Sequence, residues 1–122
     1  MFFHVWFVTK YRKPILNEKI SGRFLEIAEE IARAKDYKIS EIKANKDHVH
    51  VLVLLSKRED LPGFVRTLKS VTAKKILEET PHLRVGNGGH IWARRYGYKE
   101  IPVASVSGVR EYIRNQKEIP HS

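Results

Sequence analysis

Cysteine is absent from the 122-residue chain. That excludes a disulfide framework, a thiolate nucleophile and any sulfur-ligated metal site, so a metal held here must take nitrogen and oxygen ligands. Long apolar runs are absent too. The N-terminal stretch MFFHVWFV is apolar but far short of the ~20 residues that cross a bilayer. It lacks the basic start and small-residue cleavage site of a secretion signal, so it reads as a strand, and a cytoplasmic location is expected. Acidic side chains are the minority: 14 Asp+Glu stand against 23 Lys+Arg, for a net charge of +9. A chain this basic suits a polyanionic partner, nucleic acid first. No Gly-rich phosphate loop occurs. Glutamine occurs once, as Gln116. The remainder, 42% hydrophobic and 30% charged, fits one globular domain over residues 1–122.

The patterning predicts the order β-α-β-β-α-β-α. FFHVWFVT is β-branched and aromatic, a strand ended by KYRKP. Ile20, Phe24, Ile27, Ala28 and Ile31 recur at helical spacing between Asn17 and Asp36. YKISEIKA is a short second strand, NKD a tight turn, and HVHVLVLL a third strand. Asp60 is the expected N-cap of the next helix, opened by Leu61 and Pro62. Its apolar stripe is Phe64, Val65, Leu68, Val71 and Leu77, and its other face carries Arg66, Lys69, Lys74 and Lys75. PHLRVGNGGH reads as loop with its turn at Asn87-Gly88-Gly89, and IWARRYGYKEI as strand four. A short helix between Pro102 and Gln116 is lined by Val106, Val109 and Ile113. The fold class is α+β: a ferredoxin-like, RRM-like β-α-β-β-α-β core with an antiparallel sheet, plus a C-terminal helix.

The stretch DHVHVLVLL carries the chemistry. Residues two apart in a strand share a face, so His48 and His50 point together, with Cα atoms about 6.6 Å apart. Val49, Val51, Val53 and Leu55 fill the other face. Two imidazoles so placed can bind one metal ion, or simply hydrogen-bond at the sheet surface. A histidine-triad hydrolase would need a histidine where Leu52 stands, and a two-histidine phosphoesterase would need paired H-x-T/S motifs, which are missing. Asp47 is expected in the turn, projecting to the other face. His4, His82, His90 and His121 are expected in surface or structural roles. In EYIRNQ, Tyr112 and Gln116 are four apart and stack on one helix face. A phenol is a nucleophile and an amide oxygen a neutral hard ligand; the pair could equally be an amphipathic rim.

Taken together, the H-hydrophobic-H strand followed by Tyr-x-x-x-Gln resembles the HUH-class single-tyrosine transposases, the small hairpin-recognising, IS200-like enzymes of bacterial and archaeal insertion sequences. HVWFVTKYRKPIL, LKSVTAKKI, IW and YIRNQ are similar to that family's segments in the same order, so nearly the whole chain is covered. RYGYKEIPVASVSG departs from it, being less hydrophobic than the usual strand there. The resemblance implies cutting and rejoining of single-stranded DNA at hairpin-marked ends. Tyr112 would be the nucleophile, giving a 5′-phosphotyrosine. His48, His50 and Gln116 would hold Mg²⁺ or Mn²⁺. A homodimer with Tyr112 acting in trans is implied as well. Arg66, Lys69, Lys74, Lys75, Arg94 and Arg95 are candidates for phosphate contact. The competing readings are a nucleic-acid-binding module without activity and a metal-dependent phosphoesterase that releases product to water.

Overall fold

The computed structural model describes residues 1–84 and 89–116. Among these, the strands and α-helices run β1 (Phe2–Val8), α1 (Glu18–Lys35), β2 (Lys38–Ala44), β3 (His48–Leu54), α2 (Leu61–Glu79), β4 (Gly97–Ile101) and α3 (Val106–Arg114). The sheet has the order β2-β3-β1-β4 with every pairing antiparallel. This is the expected α+β architecture, with α3 added after the core.

Alternation in β1 and β3 builds two different faces. Phe3, Val5 and Phe7 lie opposite Val53, Val51 and Val49, and all six are buried. They pack against the apolar stripes of α1 and α2. Truncating a phenylalanine of this layer to alanine costs roughly 3–5 kcal/mol. The Asn17 side chain caps α1 by accepting from the Ile20 N–H at 2.9 Å. Asp36 ends it in the left-handed region (φ 57°), which Asp tolerates better than most residues. On the opposite face α3 covers a smaller cluster, in which Ile113 is buried with Leu52 and Ile101 while Phe2, Val106 and Val109 pack beside them.

The start of strand four and the capping of α2 differ from expectation. Strand four begins at Gly97, not Ile91. Trp92 is diverted into the core, where its Nε1–H donates to Thr72 Oγ1 at 3.0 Å and its ring meets Phe7 and Phe24 edge-on. The Lys69 ammonium then gathers the carbonyls of Ala93, Arg94 and Arg95 at 2.7, 3.3 and 3.4 Å. Those carbonyls face a cation instead of a strand. Asp60 does stand at the N-cap of α2, but its side chain makes no capping bond; a 3₁₀ turn, Arg58–Asp60, leads into the helix. The last helix, Val106–Arg114, falls inside the expected 102–116 span, with a 3₁₀ turn at Val103–Ser105 before it and Asn115 as its C-cap. Within PHLRVGNGGH, Pro81–Arg84 form a 3₁₀ turn. Asn87 and Gly88 of the expected turn lie outside the described residues, as does His121; Gly89 has φ 79°.

Candidate active site

The period of β3 places His48 and His50 on the face turned away from α1 and α2. Backbone bonds fix where that strand starts. Asn45 N–H donates to His48 O at 2.8 Å, Thr9 N–H to Asp47 O at 2.9 Å, and Leu16 N–H to Lys46 O at 2.9 Å. The turn between β2 and β3 is thus clasped by the segment after β1. In that segment Tyr11 and Arg12 both take left-handed backbone conformations (φ 58° and 52°), sparsely populated for such side chains. From there the Arg12 Nε–H reaches Asp47 Oδ2 at 3.2 Å.

From the other side α3 brings Tyr112, whose ring centroid lies 6.3 Å from that of His50 and 6.1 Å from that of His4. Trp6, Arg12, His48, His50, Tyr112 and Gln116 line one cleft of about 270 Å³. Trp6 lies close against β4 at position 97, which is glycine; any side chain there would strike its indole. Two residues of β2 hold the end of α3. Lys43 Nζ donates to Arg114 O at 3.3 Å, and Arg114 pairs with Glu41 at 3.0 Å. A cation on the last carbonyls of a helix also meets the negative end of its dipole.

The hydrogen bonds of His48 fix its proton. A carboxylate only accepts, so the 2.8 Å contact with Asp47 Oδ1 puts the proton on His48 Nδ1. The Asn45 amide N–H donates to His48 Nε2 at 3.1 Å, which requires a lone pair there. Asp47 is therefore not turned to the other face as expected: its carboxylate bends back to His48. Burial alone would push the Asp47 carboxyl up, but hydrogen bonds from His48 and Arg12, with the charge of Arg12, hold it below the usual carboxylate range. His50 Nδ1 meets His4 Nε2 at 3.0 Å. Burial, with the nearby His4 and His48, pushes His50 down to about 4, and burial lowers His4 as well. His50 is then a neutral ligand-type imidazole at physiological pH.

Could these residues hold a divalent ion? Among the described residues no three His, Asp, Glu or Cys side chains cluster for one. The third donor must be of another kind, and the amide of Gln116 lines the same cleft as both histidines. Gln116 lies just beyond the helix, its N–H donating to Ile113 O at 3.1 Å, so it reaches the cleft from the chain after α3, not from a helical i+4 position. Asn115 lines a separate depression with Ser107 and Arg110. Two imidazoles and an amide oxygen are nitrogen and oxygen donors of the kind that can take one divalent ion.

Sequence reasoning missed His4, Asn45, Arg12, Glu41 and Lys43. The cations expected on phosphate divide into two groups. Lys69 is half-buried, its pKa lowered by that burial, and its ammonium is engaged by backbone carbonyls. Lys75 pairs with Glu30 at 3.4 Å. Arg66, Lys74, Arg94 and Arg95 are exposed. Arg66 and Lys74 lie on α2, across the sheet from the Tyr112 cleft.

A family model described as IS200-like transposase matches residues 1–116. The chain belongs to this family. The resemblance to HUH-class single-tyrosine transposases is borne out at that level. The ISDra2 transposase TnpA of Deinococcus radiodurans is 24% identical over 117 residues, covering 95% of this chain and 84% of that protein. The transposase for insertion sequence element IS200 of Salmonella typhimurium is 22% identical over 117 residues, covering 95% and 76%. The crystal structure of a candidate transposase from Deinococcus radiodurans R1 superposes with a TM-score of 0.77 at 25% identity, over 98% of this chain and 92% of that one. A REP-associated tyrosine transposase bound to a REP hairpin shares the fold, with a TM-score of 0.64 at 17% identity over 92% and 63%. Among the described residues of this transposase family member, no helix is long and apolar enough to cross a membrane. The tyrosine was expected to serve the histidines of another subunit; in the single chain it stands beside its own.

Proposed function

We propose that this chain cuts and rejoins single-stranded DNA at hairpin-marked ends, with Tyr112 as nucleophile. One observation carries the reading: the phenol, both imidazoles and the single glutamine line one cleft. The Tyr112 oxygen forms a bond to the scissile phosphorus as the bond to the 3′ oxygen breaks. The phenolic proton is lost to solvent, and the leaving 3′ oxygen takes up a proton. The product is a 5′-phosphotyrosine and a free 3′-hydroxyl. Because the link keeps the bond energy, another 3′-hydroxyl can attack it and reseal the strand. His48, His50 and Gln116 would hold Mg²⁺ or Mn²⁺. When bound, the ion supplies Lewis-acid polarisation of the phosphate. Asp47 orients His48, and Lys43 and Glu41 fix the helix that presents Tyr112. The working unit is a homodimer able to exchange α3 between chains.

Incubation with hairpin-bearing single-stranded DNA and Mn²⁺ should give a protein–DNA adduct that survives denaturation. A mere binder gives none, and a hydrolytic phosphoesterase gives cleaved product without adduct.

Gln116→Ala should lower Mn²⁺ affinity by at least about tenfold and cut adduct formation in step, while Asn115→Ala leaves both nearly unchanged. Calorimetric titration of the two variants decides between them; loss confined to Asn115→Ala would transfer the role.

DNA affinity should fall steeply with salt. If Arg66, Lys74, Arg94 and Arg95 each neutralise a phosphate, the slope of log K against log salt is about −3 for single strands. A flat dependence would make the positive charge incidental to binding.

A further inference from the structure

The three-histidine row at the head of the sheet contains one member with no assigned task. His4 lies on β1, opposite Leu52, and its strand neighbour Trp6 lies opposite His50. His4 is therefore diagonal to His50 on the same face, close enough for long side chains to meet. The meeting is specific: ring nitrogen to ring nitrogen, His4 Nε2 to His50 Nδ1, at 3.0 Å. The His4 ring has two aromatic neighbours, with its centroid 5.0 Å from that of Trp6 and 6.1 Å from that of Tyr112.

A hydrogen bond between two imidazole nitrogens uses one proton, and its position decides what His50 can do. If His4 Nε2 carries the proton, His50 Nδ1 accepts, and neutral His50 must then carry its own proton on Nε2. No lone pair is left for the cleft. If His50 Nδ1 carries it and His4 accepts, His50 Nε2 keeps its lone pair. Among the described residues no hydrogen bond occupies that Nε2. His48 already carries the matching tautomer, its Nδ1–H held by Asp47 and its Nε2 lone pair accepting from Asn45. Metal-ligating histidines are ordinarily oriented by such a partner on the far nitrogen. Here a carboxylate serves one histidine, and a third imidazole is placed to serve the other.

We propose that His4 is a positioning residue that accepts the Nδ1–H of His50 and so keeps the His50 Nε2 lone pair directed to the cleft. The inference rests on reading His48 and His50 as metal ligands. His4 itself touches neither metal nor DNA in this scheme. A neutral acceptor makes His50 a less electron-rich ligand than the carboxylate makes His48, so the two ligands are unequal.

The test uses the full chain. Long-range ¹H–¹⁵N NMR of the metal-free protein, with His50 assigned through His50→Ala, reads the tautomer directly. Wild type should show His50 protonated at Nδ1, and His4→Phe, which keeps the ring but removes the acceptor, should shift the proton towards Nε2. Mn²⁺ affinity by calorimetry should fall about 10- to 100-fold in His4→Phe and recover largely in His4→Gln, whose amide oxygen can accept. Wild-type His50 protonated at Nε2 overturns the proposal, whether or not His4→Phe folds. So does a folded His4→Phe with unchanged tautomer and Mn²⁺ affinity. If His48→Ala and His50→Ala bind Mn²⁺ as wild type does, it is the metal reading that fails, and the wild-type tautomer still decides the hold of His4 on His50.

Discussion

Replacing Tyr112 by phenylalanine should reduce the covalent DNA adduct to background while leaving the fold and DNA binding intact. The substitution removes one oxygen and nothing else. Tyr112 is 56% exposed, and among the described residues its hydroxyl makes no hydrogen bond. Its loss should therefore shift stability by less than about 0.5 kcal/mol. The ring contacts with His4 and His50 survive in phenylalanine. Chemistry, by contrast, cannot proceed: a ring carbon has no lone pair to offer phosphorus, and removal of a nucleophile costs orders of magnitude in rate. Denaturing gel analysis after incubation with hairpin single-stranded DNA and Mn²⁺ gives the answer, with filter binding as the control. Adduct at undiminished yield in Tyr112→Phe would move the nucleophile elsewhere. Tyr11 and Tyr98 are also exposed, and mapping the adducted peptide would say which. Loss of adduct together with loss of DNA binding would instead point to a structural defect.

Much of this site was legible in the sequence because it depends on period alone. The alternation in HVHVLVLL forces His48 and His50 onto one face and their valines into the core. The spacing of Ile20, Phe24, Ile27 and Ile31 likewise writes α1 without help from the rest of the chain. What escaped depends on tertiary pairing. His4 shares the face of Trp6 by the same alternation, but its meeting with His50 follows from the β1–β3 register, which no local pattern supplies. Asp47 was misplaced because it precedes the strand, where the rule of alternate faces no longer holds; Arg12 then draws its carboxylate to the same side as His48. Strand four was overextended for a related reason. IWARR has strand-like composition, yet Thr72 and the Lys69 ammonium, some twenty residues earlier, compete for its groups and win. Gln116 shows a third kind of limit: its reach to the cleft was foreseen, but by a helical route that ends two residues too soon.

Two inactive chains, His48→Ala/His50→Ala and Tyr112→Phe, should regain adduct formation when mixed, with the DNA attached to the histidine-mutant chain. The physical ground is the modest hold of α3 on its own sheet. One buried residue, Ile113, and two half-buried valines, Val106 and Val109, make the apolar contact. The Arg114–Glu41 pair has a largely exposed arginine and contributes only about 0–1 kcal/mol. Pro102 and a single 3₁₀ turn join the helix to β4. An element held this lightly can be exchanged between copies, because exchange rebuilds the same contacts across two chains. On the proposed dimer, Tyr112 beside its own histidines would be the closed form of an arrangement used in trans. Dimerisation would also cover an exposed edge, β2 or β4, whose unpaired backbone groups invite pairing. In the mixture, the Tyr112→Phe chain supplies intact histidines and the other chain supplies the phenol, so each heterodimer regains one competent site. If α3 stays at home, every chain keeps its own defect and no adduct forms; with both variants folded and binding DNA, that result would assign the reaction to single chains. Wild-type protein that remains monomeric and fully active at micromolar concentration would remove the dimer as well.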